Sequence, residues 1–219
     1  MNGHLVVEHC GQTLWLLADK AIYWPARHTL LVADVHIGKA ASYRALHQPV
    51  PRGTTEATLA RLDALLAAYD CRQLVILGDF IHARTARAPN TLARLREWRS
   101  RHDGLQIVLI RGNHDRHAGD PPAELSIEVI DQPWLLAPFA LQHEPTAHPE
   151  HPVLAGHVHP VYLLRGRARQ KLRLPCFVLD TQLSLLPAFG EFTGGYTVAP
   201  GDETRVFVTG DGQVWALGG

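Results

Sequence analysis

Cysteine is scarce in this chain of 219 residues. Cys10, Cys71 and Cys176 stand far apart, without the close pairs that a zinc site, a redox dithiol or a disulfide framework needs. An odd number of scattered thiols fits the reducing cytosol. Long apolar runs are missing as well. None approaches the roughly 20 residues that cross a bilayer, and the opening MNGHLVVEHCGQ has no basic segment leading into a long apolar one. A soluble, cytoplasmic protein with no membrane partner is the expectation. Excess charge of either sign is absent too. Lys plus Arg and Asp plus Glu number 21 each, so no whole-molecule field attracts polyanions, and any such attraction must be local. No internal repeat, low-complexity tract or long linker divides the chain, which leaves one domain over residues 1–219 as the simplest organisation. Histidine is plentiful, with 14 copies, a hint of metal binding or proton transfer.

Short apolar runs alternate with amphipathic helices through the first half, the pattern of an α/β domain. TLLVA (29–33), LVIL (74–77), IVLI (107–110) and PVLAG (152–156) read as buried strands. In TTEATLARLDALLAAYD, residues 54–70, one helical stripe carries Leu59, Leu62, Leu65, Leu66 and Tyr69, with Thr54 or Thr55 as the expected N-cap. NTLARLREWRSRH repeats the pattern with Leu92, Leu95 and Trp98 after Pro89, its other face rich in arginine. From about residue 125 short strands broken by Pro and Gly take over, so the second half should be mainly β.

Polar side chains collect where the apolar runs stop. VADVHIG supplies Asp34 and His36, ILGDFIH supplies Asp79 and His82, and IRGNHD supplies Asn113, His114 and Asp115. The carboxyl ends of strands in an α/β sheet form the crevice where ligands bind, so three strands would deliver these groups to one rim. FALQHEP adds His143, and LAGHVHP adds His157 and His159. Mixed nitrogen and oxygen donors without thiolate suit first-row divalent ions such as Mn, Fe or Zn better than Ca or Mg. Asp34-x-His36 and His157-x-His159 can each turn two side chains to one ion, and Gly78, Gly112 and Gly156 would let the backbone turn sharply beside it. Seven donors exceed a four-coordinate structural site and are too few for two closed six-coordinate ions unless one carboxylate bridges. A bridged two-metal site with open positions fits best.

Asp-x-His, Gly-Asp, Gly-Asn-His-Asp, a lone His and Gly-His-x-His, in that order from residue 34 to 159, resemble the calcineurin-like metallophosphoesterase superfamily. VADVHIGKAASYR, PVPRGTT, LPCF and LLPAFGEFTGG further resemble its ligase-associated PdeM-type branch, over almost the whole chain. That resemblance implies a four-layer α-β-β-α sandwich with two mixed sheets. It also implies a phosphodiesterase and DNA endonuclease of DNA repair that prefers manganese, with DNA ligase and helicase as possible partners. Carried onto this chain, it assigns Asp34, His36, Asp79 and His159 to a first metal. Asp79 would bridge to a second, held also by Asn113, His143 and His157. His114 would face the scissile phosphate as the catalytic residue, with Asp115 stabilising the turn. The ions, about 3.5 to 4 Å apart, would generate hydroxide and polarise the phosphoryl group for in-line attack. His114, if protonated, would stabilise developing charge or protonate the leaving oxygen.

Two positions depart from the wider superfamily. His82 stands where many phosphatases carry an Asp that supports the catalytic histidine, and a neutral imidazole supports a protonated neighbour less well, which makes His82 a phosphate-contact candidate instead. Histidine is also common there in repair nucleases, which tilts the substrate towards phosphodiesters. Glu144 follows His143 where glycine is common, and could alter that loop.

Taken singly these motifs are weak, since a lone histidine at a strand end is more often structural; five blocks in order are another matter. His148 and His151 read as solvated loop residues. For substrate, LLRGRARQKLRLP places Arg165, Arg167, Arg169, Lys171 and Arg173 at alternate positions, so that a strand or ribbon would show them on one face to a nucleic-acid backbone. A charged edge that resists aggregation explains the same pattern. Lys39, Arg44, Arg84 and Arg116 are further phosphate-contact candidates. The expected function is therefore two-metal hydrolysis of phosphodiesters in DNA. A hydrolase of small nucleotide or cyclic phosphodiesters, and a non-catalytic scaffold of the same fold, are the alternatives.

Overall fold

The computed structural model describes residues 3–45, 50, 53–166, 170–199, 201 and 203–217. Its first sheet is built in chain order from β1 (His4–His9), β2 (Gln12–Leu17), β3 (Ala21–Trp24), β4 (Thr29–Ala33), β5 (Gln73–Leu77), β6 (Gln106–Ile110) and β7 (Ile127–Ile130). β1 to β4 run antiparallel, and β4 to β7 are parallel. The three apolar runs of the first half are thus β4, β5 and β6, buried on both faces as continuous apolar strands require.

Their crossovers carry helices. α1 (Lys39–Ala45) and α2 (Thr54–Ala68) lie between β4 and β5, and α3 (Pro89–Arg101) lies between β5 and β6. α2 buries Thr58, Leu59, Leu62 and Leu65, while α3 buries Thr91, Leu95 and Trp98, all but the threonines in one core with Leu30, Val32, Leu74, Ile76, Ile107 and Leu109 of the sheet. Leu66, Tyr69 and Leu92 pack against that core from its edge. The expected cap of α2 is corrected: Thr54 is already helical, and Gly53 is the N-cap, in a left-handed conformation with φ 82° and no side-chain cap bond. Glycine enters the helix this way without a Cβ penalty, and the first-turn N–H groups are left without a side-chain acceptor.

Beyond the short α4 (Asn113–Ala118) the second half is indeed mainly β. β8 (Trp134–Leu136), β9 (Phe139–Gln142), β10 (Val153–Ala155), β11 (Pro160–Arg165), β12 (Lys171–Leu179), β13 (Leu183–Leu185) and β14 (Tyr196–Thr197) form a second sheet in the order β14-β11-β12-β13-β10-β9-β8. β15 (Arg205–Gly210) pairs with β12 and with β16 (Gln213–Ala216). This sheet is mixed too, with β9, β10 and β13 parallel. The sheets meet face to face through one buried cluster, in which Trp24, Leu31, Val75 and Val108 of the first touch Phe139, Leu141, Leu154, Phe177 and Phe207 of the second. This is the two-sheet α/β architecture that the motifs imply. No helix among the described residues is long and apolar enough to cross a membrane.

Candidate metal centre

β4, β5 and β6 are parallel, so Asp34, Asp79 and Asn113, each one to three residues past its strand, leave the first sheet at the same edge. β9 and β10 bring His143 and His157 from the facing sheet, and His159 lies just before β11. The loops are joined by main-chain bonds: Asp34 N–H donates to Gly78 O at 3.2 Å and His36 N–H to Asp79 O at 2.8 Å. Five of the seven expected ligands, Asp34, His36, Asp79, His157 and His159, have φ between 50° and 69°. Non-glycine residues rarely adopt this conformation, and strain of that kind gathers at functional sites.

Three groups of donor atoms lie within 4.8 Å of one another: Asp34 with His36 and His159, Asp34 with Asp79 and His143, and His36 with His82 and His114. Hydrogen bonds behind the rings set their tautomers. Nδ1 of His143 donates to Leu77 O at 3.0 Å, which leaves a lone pair on Nε2, and that atom stands 2.9 Å from Asn113 Oδ1 and 3.0 Å from His157 Nδ1. Nδ1 of His159 donates to Thr193 O at 3.0 Å, which leaves its Nε2 bare, 3.4 Å from His36 Nε2 and 3.2 Å from Asp34 Oδ1. Asp34 Oδ1 is buried and accepts no hydrogen bond. Acceptors turned on one another, with an orphaned carboxylate oxygen among them, are what divalent cations would satisfy, and outer hydrogen bonds of this kind are how proteins aim metal-binding imidazoles.

The electrostatics agree. Burial, with Lys39 and three histidines around it, holds the His36 ring well below the usual histidine range, so it is neutral. Burial lifts the Asp79 carboxyl above the ordinary carboxylate range, with Asp34 adding to the rise and His143 opposing it. Burial pulls His159 down, but the Asp34 carboxylate outweighs it and leaves the ring raised. Two buried carboxyl groups beside the neutral His36 ring make a site that a metal's positive charge would complete.

His114 Nδ1 donates to the main-chain oxygen of His82 at 2.8 Å, and its Nε2 faces Asp79 Oδ2 at 3.9 Å. The side chain is 38% exposed, open to a ligand. The His82 ring stacks on His114 at 4.8 Å and meets His36 edge-on at 5.2 Å. Burial, Lys39 and His114 hold its pKa down at about 4, so it is neutral and supplies no carboxylate-like support. Position 82 still orients His114, through a main-chain atom that any residue would provide. The Asp115 carboxylate lies behind the centre and accepts from the N–H groups of Gly112, Asp79, Phe80 and Ile81 at 2.7 to 3.2 Å, fastening two ligand loops together.

The sequence reading missed the work of 186–195. Phe189 and Gly190 N–H bond to the carbonyls of Ala33 and Asp34 at 2.8 and 3.0 Å, and Thr193 O holds His159. The only local sign was a glycine-rich stretch. His148 and His151 are half-buried rather than solvated: His148 Nδ1 accepts from the N–H of His151 at 3.2 Å, and His151 Nδ1 donates to Pro138 O at 3.1 Å, tying the loop to the turn before β9.

The substrate candidates are more scattered. Lys39 is buried beside the centre. Arg84 is exposed and donates to His117 O at 3.1 Å, Arg116 is exposed on α4, and Arg44 lies in the last turn of α1. Arg165 and Lys171 are paired at the tip of the β11–β12 hairpin and Arg173 follows on the same face, so the basic run is a turned ribbon. Its tip is roughly 20 Å along the strand from His159. Arg167 and Arg169 lie outside the described residues.

A model of the calcineurin-like phosphoesterase family matches residues 27–166, a span that ends just after His159 and the strand that follows it. The crystal structure of a nuclease from Pseudomonas putida, MPE, is 65% identical, covers 98% of this chain and 100% of its own, and superposes with a TM-score of 0.89. Yfce, a phosphoesterase from E. coli, is 15% identical, covering 84% of this chain and 88% of its own at a TM-score of 0.36. No curated protein matches.

Proposed function

This chain belongs to the calcineurin-like phosphoesterase family of metal-dependent hydrolases, and from that premise we propose that it is a two-metal phosphodiesterase that cuts DNA internally. The observation that carries the reading is the convergence of Asn113 Oδ1, His143 Nε2 and His157 Nδ1 beside the orphaned Asp34 Oδ1. Asp34, His36 and His159 would hold one ion and Asn113, His143 and His157 the other, with Asp79, which lies beside both His36 and His143, shared between them. When bound, the ions supply Lewis acidity and a strong nucleophile at neutral pH. His114 faces the same opening with Nδ1 tied back, so Nε2 is the atom that meets the phosphoryl group or gives a proton to the leaving oxygen. Manganese suits the nitrogen and oxygen donors. The 65% identity to a nuclease over almost the whole of both chains supports nucleic acid over small diesters. A role in DNA repair in the cytoplasm, beside ligase or helicase partners, rests on resemblance.

The test is incubation of metal-stripped protein with labelled single-stranded and hairpin DNA, with and without manganese, beside Asn113→Ala and His114→Ala. Internal cutting that needs metal and falls by about 10²- to 10⁴-fold in His114→Ala is expected. Hydrolysis of small diesters alone would move the function to nucleotide metabolism, and intact DNA and diesters under all conditions would leave a scaffold.

A further inference from the structure

Next to the metal centre, across His36, lies a cleft walled by Lys39, Thr54, Thr55, Thr58 and Glu191. We infer that this cleft is a second phosphate subsite, which grips the phosphodiester group neighbouring the scissile one in a nucleic-acid strand. The inference rests on the nuclease reading and deepens it, since a small diester has no second phosphate to offer.

Lys39 is the leading observation. The residue is only 8% exposed and lines the cleft, and its ammonium group, which keeps some contact with solvent, makes no hydrogen bond or ion pair with any described residue. A lysine that has lost most of its water without gaining an ion-pair partner is costly, and an anion entering the cleft would supply the missing charge. Burial pulls its pKa down, and Asp34 and Asp79 act against that fall. Those carboxylates are committed to the ions once metal is bound, which leaves Lys39 in need of another anion.

The opposite wall is the start of α2, fifteen residues long, whose first turn has no side-chain cap because Gly53 is the N-cap. N–H groups in such a turn point along the axis towards an incoming anion. The hydroxyls of Thr54, Thr55 and Thr58 line the same space, and none has a hydrogen-bond partner among the described residues. Glu191, the acid in the wall, is turned to Arg61 and lies 3.8 Å from Lys20, so its charge is answered elsewhere. The cleft opens to solvent, with a volume of about 210 Å³, which leaves room for a phosphoryl group.

The experiment compares, in manganese, the thymidine dinucleotide TpT with the same dinucleotide phosphorylated at its 5′ or its 3′ end. One phosphorylated form should be cut about ten-fold more efficiently, through a lower KM, as a charge-assisted contact to one phosphate allows. Thr54→Val with Thr55→Val should lose most of that preference and Lys39→Gln nearly all of it, while Thr54→Ser with Thr55→Ser retains it. A second readout needs no turnover. In EDTA, the binding of a short thymidine oligonucleotide to Lys39→Gln should show a salt slope shallower by about one ion than wild type. No preference in the wild type, or a preference that survives in both the valine and glutamine variants, overturns the subsite. If only a chromogenic diester is hydrolysed and none of the three dinucleotides is, the nuclease reading fails; the EDTA titration then judges the cleft alone, and an unchanged slope refutes it.

Discussion

Asp115 never turns towards the donor cluster, yet its two oxygens accept four backbone N–H groups from the loops that carry Asp79 and Asn113. Asp115→Asn turns an NH2 group on some of those donors. A loss of about 2 to 4 kcal/mol in unfolding free energy of the metal-free protein is expected, read by urea titration, with manganese affinity down at least about ten-fold. Unchanged metal binding would reduce Asp115 to a stability residue. His82 invites the opposite expectation. Because its main-chain oxygen orients His114, His82→Ala should keep that geometry and cost far less activity than His114→Ala; an equal loss would give the His82 ring a direct part in the reaction. At this scale the candidate ligands were legible, because Asp, Asn and His are defined by the atoms they offer. The left-handed conformation of five of them was not, since nothing in a residue's identity forces a strained φ.

Elements place those residues. Gly78, between β5 and Asp79, has φ 77°, and a Cβ there would run into the His143 ring. Gly78→Ala should therefore displace His143 and drop bound manganese from two ions per chain towards one; two tight ions in the variant would mean that the loop absorbs the methyl. The β11–β12 hairpin presents Arg165 opposite Lys171. Glutamate at both positions should weaken DNA binding and flatten its salt dependence by about two ions, whereas an unchanged slope would mark the ribbon as a protected edge. Helices α2 and α3 and strands β4, β5, β6 and β10 were readable from periodicity and apolar runs. The β1–β2 hairpin was not: it turns at Cys10-Gly11, with φ 49° and 73°, where the recognisable signal would be Asn-Gly.

The two sheets close over one another, and His9 sits in the seam. Its ring on β1 bonds Ser184 Oγ of β13 at 2.9 Å, lies 3.4 Å from the Arg205 guanidinium of β15 and stacks on Phe139 of β9. Burial, reinforced by Arg205 and opposed by Asp180, lowers its pKa to about 4. An unfolded chain takes up this proton near pH 6.5 and the folded one only near 4, so the stability is full above about 6.5 and drains away as pH falls through that window. Metal-free His9→Asn should lose less stability than wild type between pH 7.5 and 5 in urea titrations; parallel losses would place the acid sensitivity in other groups. The sequence by itself determined the chemistry of the centre and the strands that end at it, because donor atoms and apolar runs are local properties. Only the tertiary structure decided which acceptors face one another, that Thr193 and Leu77 set the tautomers of His159 and His143, and that Lys39 lies buried against the bare start of α2. Each of those depends on backbone atoms brought together from distant parts of the chain, and a carbonyl oxygen carries no mark of its partner in the residue that bears it.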